Sequence, residues 1–477
     1  MTAARDDDVW VGLDIGTQGA RAIAVAADGS VVGSGAVALR SRRAGGRHAQ
    51  DPLSWWNAVA AASRAALRGV SVGRVRGVAT CATSGTILLV DHDGTPLTPG
   101  LMYDDARASE QAARIGMPAS WALPKLLWML DEWPHLARGA RLAHQADVVT
   151  RRLVGHGVPA DSSHALKTGY DQLLEAWPDD VLEMAGGLLP EVVRSGSGIG
   201  DVCAHAAEQT GIPAGTPVIA GMTDGCAAQL AAGAVGEGDW NSALGTTLVL
   251  KGASAQRLHD PGGALYCHRA PAGGWLPGGA SSTGAGILAA RFAGRDLDEL
   301  GRRAAAFEST KVLAYPLVSR GERFPFVAPQ AEAFMVGEPG DEAEHFAVLL
   351  HGVAFVERLC FDYVDLLGAP TAGELTLTGG ATRSRYWCQL RADVLGRRVR
   401  LVEQADAAFG MAILAASAGH DGATVAARMV RTREVIEPRP GRSAHFAKPY
   451  LALVAELEGC GWLGAALARH AGERARG

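Results

Sequence analysis

Asp14 and the turn that follows it form the first pattern with chemical potential. In "VGLDIGTQGARAI", an apolar run ends at Asp14, and Gly16 and Thr17 come next. A glycine and threonine turn can present backbone N–H groups and a hydroxyl to phosphate oxygens. Because a carboxylate repels phosphate, Asp14 fits there if Mg²⁺ lies between them. The pattern predicts a phosphate and metal site, and the alternative is that Asp14 only caps a turn.

Asp224 is the second carboxylate of interest. It follows the apolar run "TPVIAGM", stands between Thr223 and Gly225, and precedes the small-residue stretch "CAAQLAAGA". This is typical of a strand that runs into a closely packed helix. Asp224 is therefore either a helix N-cap or a general base that accepts the proton of a substrate hydroxyl as it attacks phosphorus.

Two further glycine turns could bind a nucleotide. Gly245, Thr246 and Thr247 in "NSALGTTLVLKG" repeat the strand, Gly-Thr turn and strand of the N-terminal pattern. This recurrence predicts a duplicated fold with a cleft between its halves. In "ELTLTGGATRSRYW", Gly379 and Gly380 join a strand to a helix, where a flat ligand can approach the backbone. The alternative for this segment is a plain tight turn.

The elements around these residues alternate between β-rich and α-rich blocks. "VWVGLDIG", "ARAIAVAAD" and "VVGSGAVAL" predict an antiparallel meander, followed by a helix that Asp51 caps and Pro52 opens. "TILLVDHDGTPL" predicts a hairpin with a turn at Asp93 and Gly94. From "LPKLLWMLDEWP" to about residue 210 the periodicity becomes helical.

Composition limits the class of protein. The 477 residues favour two or more domains, and 48% hydrophobic with 20% charged residues is typical of a globular protein. A net charge of −5 offers no broad basic face, so no nucleic-acid partner is expected. Seven cysteines without a C-x-x-C pair indicate a reducing compartment. The acidic N-terminus and the lack of an apolar run of ~18 residues predict a cytoplasmic protein without a membrane span.

Six segments, taken in order, resemble the FGGY carbohydrate kinases from about residue 9 to about residue 418. They are "GLDIGTQGARA", "PGLMYDDARA", "LPKLLW", "AGMTDGCAAQLAAGA", "NSALGTTLVLKG" and "TGGATRSRYWCQLRADVLG". The resemblance implies an α/β fold of two actin-like, ribonuclease-H-like ATPase domains with a catalytic cleft between them. It implies a sugar-binding domain over 1–240 and an ATP-binding domain over 241–477. The expected ligands are ATP, Mg²⁺ and a small-molecule sugar, and the expected oligomeric state is a monomer or a homodimer.

The resemblance also implies roles for individual residues. Asp14 would lie near the metal and the substrate, and Asp224 would contact the sugar as catalytic base. The implied phosphate hairpins are Gly16 and Thr17 in the first half, and Gly245, Thr246 and Thr247 in the second. Gly379, Gly380 and Ser384 would line the adenosine pocket, where Ala381 replaces the family's third glycine.

"MYDDAR" stands where many family members have Trp-x-Asp-x-Arg, which places Tyr103 and Asp105 at sugar-side positions. The alternative is that Asp105 and Arg107 form a surface salt bridge.

Within the family, the chain most resembles the xylulokinase-like D-ribulose kinases of plants and cyanobacteria, through "CATSGTILLVD", "YCHRAPAGGWLPGGASSTGAGIL" and "YPLVSRGERFPFVAP". Xylulokinases usually carry Gln-Met-His-Gly where this chain has Thr83–Thr86, and Ser84 becomes the candidate sugar contact. His164 replaces an expected Asn and receives no role. The expected reaction converts D-ribulose to D-ribulose 5-phosphate. The alternatives are a D-xylulose or other polyol or ketose kinase, and an inactive actin-like protein that binds ATP or a partner.

Overall fold

Two units, each with its own hydrophobic core, make up the part of the chain that the computed structural model describes, residues 7–476. Unit 1 comprises the described residues up to Gly233, together with His268–Gly273 and Gln404–Val430. Unit 2 comprises Ala234–Cys267, Gly274–Glu403 and the described residues from Arg431 onward.

The described chain contains strands and helices in alternating blocks. The strands are β1 (Val9–Ile15), β2 (Gly19–Ala26), β3 (Val31–Ala38), β4 (Ser41–Ala44), β5 (Arg47–Gln50), β6 (Val75–Ala82), β7 (Ile87–Val90), β8 (Gly100–Leu101), β9 (Arg141–His144), β10 (Ala160–Asp161), β11 (Val192–Val193), β12 (Gly198–Asp201), β13 (Pro217–Thr223), β14 (Trp240–Leu244), β15 (Leu248–Gly252), β16 (Tyr266–Arg269), β17 (Trp275–Ala280), β18 (Leu313–Tyr315), β19 (Phe334–Val336), β20 (Leu375–Thr378), β21 (Val399–Val402) and β22 (Thr432–Ile436).

The helices are α1 (Pro52–Ala66), α2 (Ser109–Ile115), α3 (Ala122–Glu132), α4 (Gln145–Val154), α5 (Ser162–Ala165), α6 (Asp179–Ala185), α7 (Ala204–Thr210), α8 (Asp224–Ala231), α9 (Gly286–Arg291), α10 (Leu297–Ala304), α11 (Glu342–Leu366), α12 (Arg385–Leu395), α13 (Ala407–Ala416), α14 (Gly422–Met429), α15 (Arg442–Gly459) and α16 (Ala465–Arg474). Short 3₁₀ turns, including Gly380–Arg383, connect some of them.

The main sheet of unit 1 has the strand order β12-β13-β6-β1-β2-β3. β1, β2 and β3 pair antiparallel, which confirms the predicted meander. β1 and β13 both pair parallel to β6, so these three strands end at the same edge of the sheet. The predicted N-cap is also confirmed, since the Asp51 side chain accepts the Leu53 N–H at the start of α1.

Unit 2 repeats this arrangement in the sheet β16-β17-β15-β14-β20-β21-β22. β14 and β15 form an antiparallel hairpin around residues 245–247, as the sequence predicts. β20 pairs parallel to β14, and β21 pairs parallel to β20. An antiparallel hairpin beside two parallel strands therefore occurs in both units, in agreement with the predicted duplication and the α/β fold.

A smaller sheet in unit 1 positions the segment after residue 101. Its order is β4-β5-β8-β7-β9, and α3 packs against its apolar face. β7 pairs antiparallel with β8 through Ile87 and Leu101. Because the strands run in opposite directions, the residues just before Ile87 and just after Leu101 lie at the same end of this sheet.

Helix α13 lies in unit 1, whereas the sequence places the whole segment 241–477 in the second domain. Gly12 and Gly410 make its position possible. A Cβ on Gly12 would lie 1.7 Å from the Ala408 carbonyl oxygen, and one on Gly410 would lie 1.9 Å from that of Ala227. The helix therefore packs backbone to backbone against β1 and α8, a long-range contact that an evenly apolar sequence does not specify.

All seven cysteines lie among the described residues, and they are present as free thiols. Within residues 7–476, we find no helix whose length and apolar character would let it cross a membrane.

Candidate active site

The shared edge of β1, β6 and β13 brings Asp14 and Asp224 into one neighbourhood. Ile15 and Thr223 each pair with Ala82, at the end of the strand between them. Asp14 precedes Ile15, and Asp224 follows Thr223. Two strand spacings separate the outer strands, about 9–10 Å at the level of the backbone. The two carboxylates therefore flank the end of β6, where a substrate group can lie between them.

Asp14 is 5% exposed, and its environment disfavours the charged form. Burial raises the pKa of Asp14 to about 7, and the charge of Asp224 adds to this rise. Arg21 opposes the shift, with its Nη1 atom 3.6 Å from Asp14 Oδ2. A buried carboxylate held beside a second one is a group that a cation would stabilise.

The structure also identifies Asp406 as a carboxylate that acts on Asp14. It occupies the position before the first turn of α13, and its charge contributes to the raised pKa of Asp14. Sequence patterns alone do not single out Asp406, because its approach to Asp14 depends on the packing of α13 in unit 1. The only sequence signal is an Asp directly before an apolar helix, which is also typical of an N-cap.

Asp224 begins α8 instead of capping it. Thr223 occupies the position before the helix, and the Asp224 side chain accepts the N–H of Gly225 at 2.8 Å. The Ser163 hydroxyl accepts the Thr223 N–H at 3.1 Å and lies 3.2 Å from the Thr223 hydroxyl. Ser163 thus fixes the residue immediately before Asp224, and it lies in a segment to which the sequence analysis assigns no role.

The turn after β1 is tight. The Gly16 N–H donates to the Gly19 carbonyl at 3.0 Å, and the Thr17 carbonyl accepts the Gln50 side-chain amide at 2.7 Å. The Trp55 indole N–H in turn donates to Gln50 Oε1 at 2.7 Å. Gly16 and Thr17 are both half-buried. The predicted phosphate hairpin is therefore an ordered turn directly after Asp14.

Ser84 lies in the loop that extends the central strand β6. Its hydroxyl oxygen is buried and makes no hydrogen bond with any described residue. The neighbouring Thr83 and Thr86 hydroxyls are instead satisfied within the protein, since they bond to each other at 2.5 Å and Thr83 also donates to Gln145. An unpartnered buried hydroxyl is a donor and acceptor available to a ligand.

His164 holds the start of this loop. Its Nδ1 atom lies 2.6 Å from Asp161 Oδ2, and its Nε2 atom lies 3.2 Å from the Ala82 carbonyl oxygen. Burial lowers the pKa of His164, but the Asp161 carboxylate outweighs burial and raises it to about 9. A protonated ring can donate to both partners at once, so His164 positions the end of β6.

Tyr103 and Asp105 lie at the end of the smaller sheet that also carries Ser84. Asp105 is fully buried, and its Oδ2 atom accepts the His48 backbone N–H at 2.6 Å. Its two carboxylate oxygens also accept one hydrogen bond each from Arg107 Nε and Nη2, both at 2.8 Å. The Arg107 guanidinium stacks over Trp128 with 4.9 Å to the ring centroid. Asp105 is buried and the Arg107 side chain is only 12% exposed, unlike the surface salt bridge of the alternative interpretation. The two hydrogen bonds mean that Asp105 orients the Arg107 guanidinium. The Tyr103 side chain, by contrast, is 40% exposed.

Lys125 contacts the segment before Tyr103. It is fully buried, and its Nζ atom donates to the Met102 carbonyl at 2.9 Å. Burial, together with the nearby Lys167, lowers the pKa of Lys125 to about 7. Lys167 donates to the Ser84 carbonyl at 3.3 Å. One lysine thus contacts the segment before Tyr103 and the other contacts the loop of Ser84, two long-range hydrogen bonds that the sequence pattern does not reveal.

Unit 2 contains a cavity of about 700 Å³ at the carboxyl ends of β14 and β20. Four of the predicted nucleotide-site residues line it: Gly245, Thr246, Gly380 and Ser384. Ala381, which replaces a glycine of the family pattern, is also in the lining. Tyr386 and Phe346 contribute aromatic surface. The size and the mixed polar and apolar lining suit a nucleotide.

Gly379 and Thr247 lie outside the lining but shape it. Gly379 has a φ of +85°, and a Cβ there would lie 2.5 Å from the Leu244 carbonyl oxygen. The Gly245 N–H donates to the Thr247 carbonyl at 3.1 Å, and the Gly286 N–H donates to the Thr246 carbonyl at 3.0 Å. These contacts fix the hairpin turn against the start of α9.

Comparisons with known proteins agree with this architecture. Residues 9–231 match the N-terminal domain of the FGGY family of carbohydrate kinases, and residues 243–419 match its C-terminal domain. A xylulose kinase from Streptomyces coelicolor is 29% identical over 459 residues, with 89% of this chain and 92% of the relative covered. A xylulose kinase from Escherichia coli is 26% identical, with 82% and 86% covered.

A crystal structure of xylulose kinase from Rhodospirillum rubrum superposes with a TM-score of 0.84 at 26% identity, over 94% of this chain and 99% of that one. The two matched domains together span most of the sequence, with the predicted catalytic carboxylates in the first and the nucleotide turns in the second. The chain therefore belongs to the FGGY family of carbohydrate kinases.

Proposed function

We propose that this sugar kinase transfers the γ-phosphoryl group of ATP to the terminal C5 hydroxyl of a ketopentose, with D-ribulose as the preferred substrate. The observation that carries the proposal is the edge of the unit 1 sheet, where Asp14 and Asp224 flank the loop of Ser84. Unit 1 is proposed to bind the sugar, and unit 2 to bind ATP in its cavity of about 700 Å³.

Asp224 is the proposed general base. It accepts the proton of the attacking hydroxyl, and the Gly225 N–H, which donates to its Oδ1 atom at 2.8 Å, orients the side chain for this task. Ser163 holds the preceding residue in place, so the carboxylate is pre-oriented. Phosphoryl transfer depends mainly on positioning and charge stabilisation, which this arrangement provides on the acceptor side.

Mg²⁺ fits the donor set at Asp14. The carboxylate is buried, and the charges of Asp224 and Asp406 raise its pKa, so a divalent cation would relieve their mutual repulsion. When bound with ATP, Mg²⁺ neutralises charge on the phosphate oxygens. The Gly16 and Gly245 N–H groups are used within their own turns, so the hydroxyls of Thr17 and Thr246 are the proposed donors to phosphate in these two turns.

D-ribulose is favoured by the residues that occupy the loop after β6. Thr83–Thr86 replace the Gln-Met-His-Gly usual in xylulokinases, and the Ser84 hydroxyl is buried without a protein partner. D-xylulose differs from D-ribulose in the orientation of the C3 hydroxyl. The wrong epimer would leave a polar group of the pocket unpaired, which costs about 1–3 kcal/mol.

D-xylulose is the second candidate, because relatives that match 82–89% of this chain are xylulose kinases. The two candidates share all of the proposed chemistry and differ in the orientation of a single hydroxyl. Their order therefore has to be decided by measurement.

The experiment compares kcat/KM for ADP release with D-ribulose, D-xylulose, L-ribulose and glycerol. We expect D-ribulose to exceed D-xylulose by roughly tenfold to a hundredfold. Ser84→Ala is expected to narrow that ratio, whereas the exposed Ser71→Ala serves as a matched control that leaves it unchanged. An equal or higher value with another sugar would reject D-ribulose as the preferred substrate. Absence of turnover with every sugar would favour an inactive ATP-binding protein.

A further inference from the structure

A second cavity in unit 2, of about 530 Å³, is lined by arginines. Arg358 comes from α11, Arg397 and Arg398 follow α12, and Arg474 ends α16. Asp362 and Glu374 are the carboxylates in the lining, which gives four positive charges against two negative ones. Cavities of this size hold small molecules, but a net positive polar lining selects anions.

Two of the four arginines are already neutralised. Arg398 forms an ion pair with Glu374. Arg474 forms ion pairs with Asp362 at 3.0 Å and with Asp365 at 2.6 Å. The internal carboxylates of the cavity are thus committed to these two side chains.

Arg358 and Arg397 are the two arginines of the lining without an ion pair to any described residue, although Asp362 interacts with Arg358 and Glu374 with Arg397 at longer range. Among the residues that the structure describes, neither has a carboxylate oxygen within 4 Å. Arg358 is only 8% exposed; it donates to the Val394 carbonyl at 3.3 Å and packs 4.5 Å from the Tyr450 ring centroid. Arg397 donates to the Gly373 carbonyl at 2.7 Å and lies over Phe361 at 5.4 Å. Burial and the nearby Arg474 lower the pKa of Arg397, which means that its charge is held at a cost.

We propose that this cavity is a binding site for a small phosphate-bearing anion, distinct from the nucleotide cavity. Arg358, which is buried, and Arg397, which is half-buried, can form bidentate, charge-assisted hydrogen bonds to phosphate oxygens, and such an anion would offset the net positive charge of the lining. The hydroxyls of Thr371 and Ser443 also line the cavity and can donate to the same ligand.

The site lies at the opposite end of the elements that form the nucleotide cavity. On α11, Leu350 lines the nucleotide cavity and Arg358 lines the basic cavity, eight residues further along, or about 12 Å. On α12, the residues at the start line the first cavity, and Leu395 at the end lines the second. Anion binding here therefore does not require the nucleotide turns.

The test is calorimetric titration of the full-length protein with inorganic phosphate and, separately, with D-ribulose 5-phosphate, at constant ionic strength. Both probes can also enter the nucleotide cavity, so titrations of the native protein are compared with titrations of Arg397→Gln. The difference between the two reports the binding at the basic cavity. We expect this variant to weaken one site about tenfold or more, as for the loss of a charge-assisted hydrogen bond. The exposed Arg320→Gln, which lines neither cavity, is the matched control and should bind as the native protein does.

A second variant tests the same site independently, in case Arg397→Gln does not fold. Ser443 is the second residue of α15, where an aspartate suits the positive end of the helix, so Ser443→Asp should fold normally. Its carboxylate would repel an anion, and we expect the same site to be lost.

Tighter binding of D-ribulose 5-phosphate than of phosphate would identify a sugar phosphate as the ligand, and equal binding would identify free phosphate. Titrations that neither Arg397→Gln nor Ser443→Asp alters, or the absence of binding of either probe, would overturn the proposal. These outcomes do not depend on sugar turnover.

Discussion

At the scale of single residues, the candidate active site depends on carboxylates whose partners are fixed by the backbone. Asp14 lies on β1 and Asp224 directly follows β13, the two strands that flank β6, and each is placed by hydrogen bonding or packing within unit 1. Their proposed tasks differ because their surroundings differ. Asp14 is buried among acidic groups, which suits a cation ligand, whereas Asp224 is the first residue of a helix and is oriented by the Gly225 N–H, which suits a base.

Asp224→Asn is expected to lower kcat by roughly 10²–10⁴-fold, because an amide keeps the shape of the side chain but cannot accept the hydroxyl proton. Sugar affinity, measured by calorimetry without ATP, should change little. Asp201→Asn, at an exposed carboxylate on β12, controls for the loss of one charge in unit 1. Near-normal turnover of Asp224→Asn at saturating sugar would show that another group is the base.

His164 should make stability depend on pH. Its pKa is about 9 in the folded protein, above the ordinary value of 6.5, because Asp161 stabilises the protonated ring. The stabilisation is complete below pH 6.5 and is lost as the pH rises through about 9. His164→Gln should therefore lower the free energy of unfolding by on the order of 1–3 kcal/mol at pH 6 and by less at pH 10.

Thermal unfolding at pH 6, 8 and 10 measures this difference, with the exposed His156→Gln as the control. A difference that is the same at all three pH values would contradict a charged ion pair at His164.

At the scale of elements, most of the supporting structure could be predicted from local signals. The meander of β1–β3, the hairpin around Gly245 and the turn at Gly379 follow from short alternating runs interrupted by glycine. By contrast, the placement of α13 in unit 1, and with it Asp406, depends on Gly12 and Gly410 as contact points between distant segments. Buried hydrogen bonds such as that from Lys125 to the Met102 carbonyl also join distant segments, and no pattern in a single sequence predicts them.

Gly379→Ala tests how closely the proposed adenosine turn supports the proposed phosphate hairpin. Its positive φ strains any L side chain, and the new Cβ would press on Leu244, directly before Gly245. We expect the KM for ATP to rise about tenfold and the KM for sugar to change little, since a misplacement of about 1 Å can cost up to a hundredfold. Gly368→Ala is a matched control, because Gly368 has a φ of +80° and a Cβ there would meet no other atom within 4 Å. Equal effects of both variants on the KM for ATP would contradict a specific contact.

At the scale of the whole molecule, the two units divide the proposed work. Each has its own hydrophobic core, and each repeats a hairpin beside two parallel strands whose ends carry the candidate ligand groups. Unit 1 presents carboxylates and an unpartnered hydroxyl, which suit a polyol and a cation. Unit 2 presents glycine turns around a large cavity, which suit a nucleotide. Separate cores with separate sites imply that each substrate can stabilise its own unit.

Hydrogen exchange with mass spectrometry should reveal this division. A non-hydrolysable ATP analogue alone is expected to slow exchange in residues 244–249 and 379–387 of unit 2, because ligand contacts suppress local opening of the turns that they bridge. D-ribulose alone is expected to slow exchange in residues 82–88 and 102–107 of unit 1, where Ser84, Tyr103 and the Asp105–Arg107 pair lie. Helix α14, Gly422–Met429, contains none of the proposed site residues and is an internal control in both experiments. If the ATP analogue protected residues 82–88 while leaving residues 379–387 unchanged, the proposed assignment of nucleotide to unit 2 and sugar to unit 1 would have to be reversed.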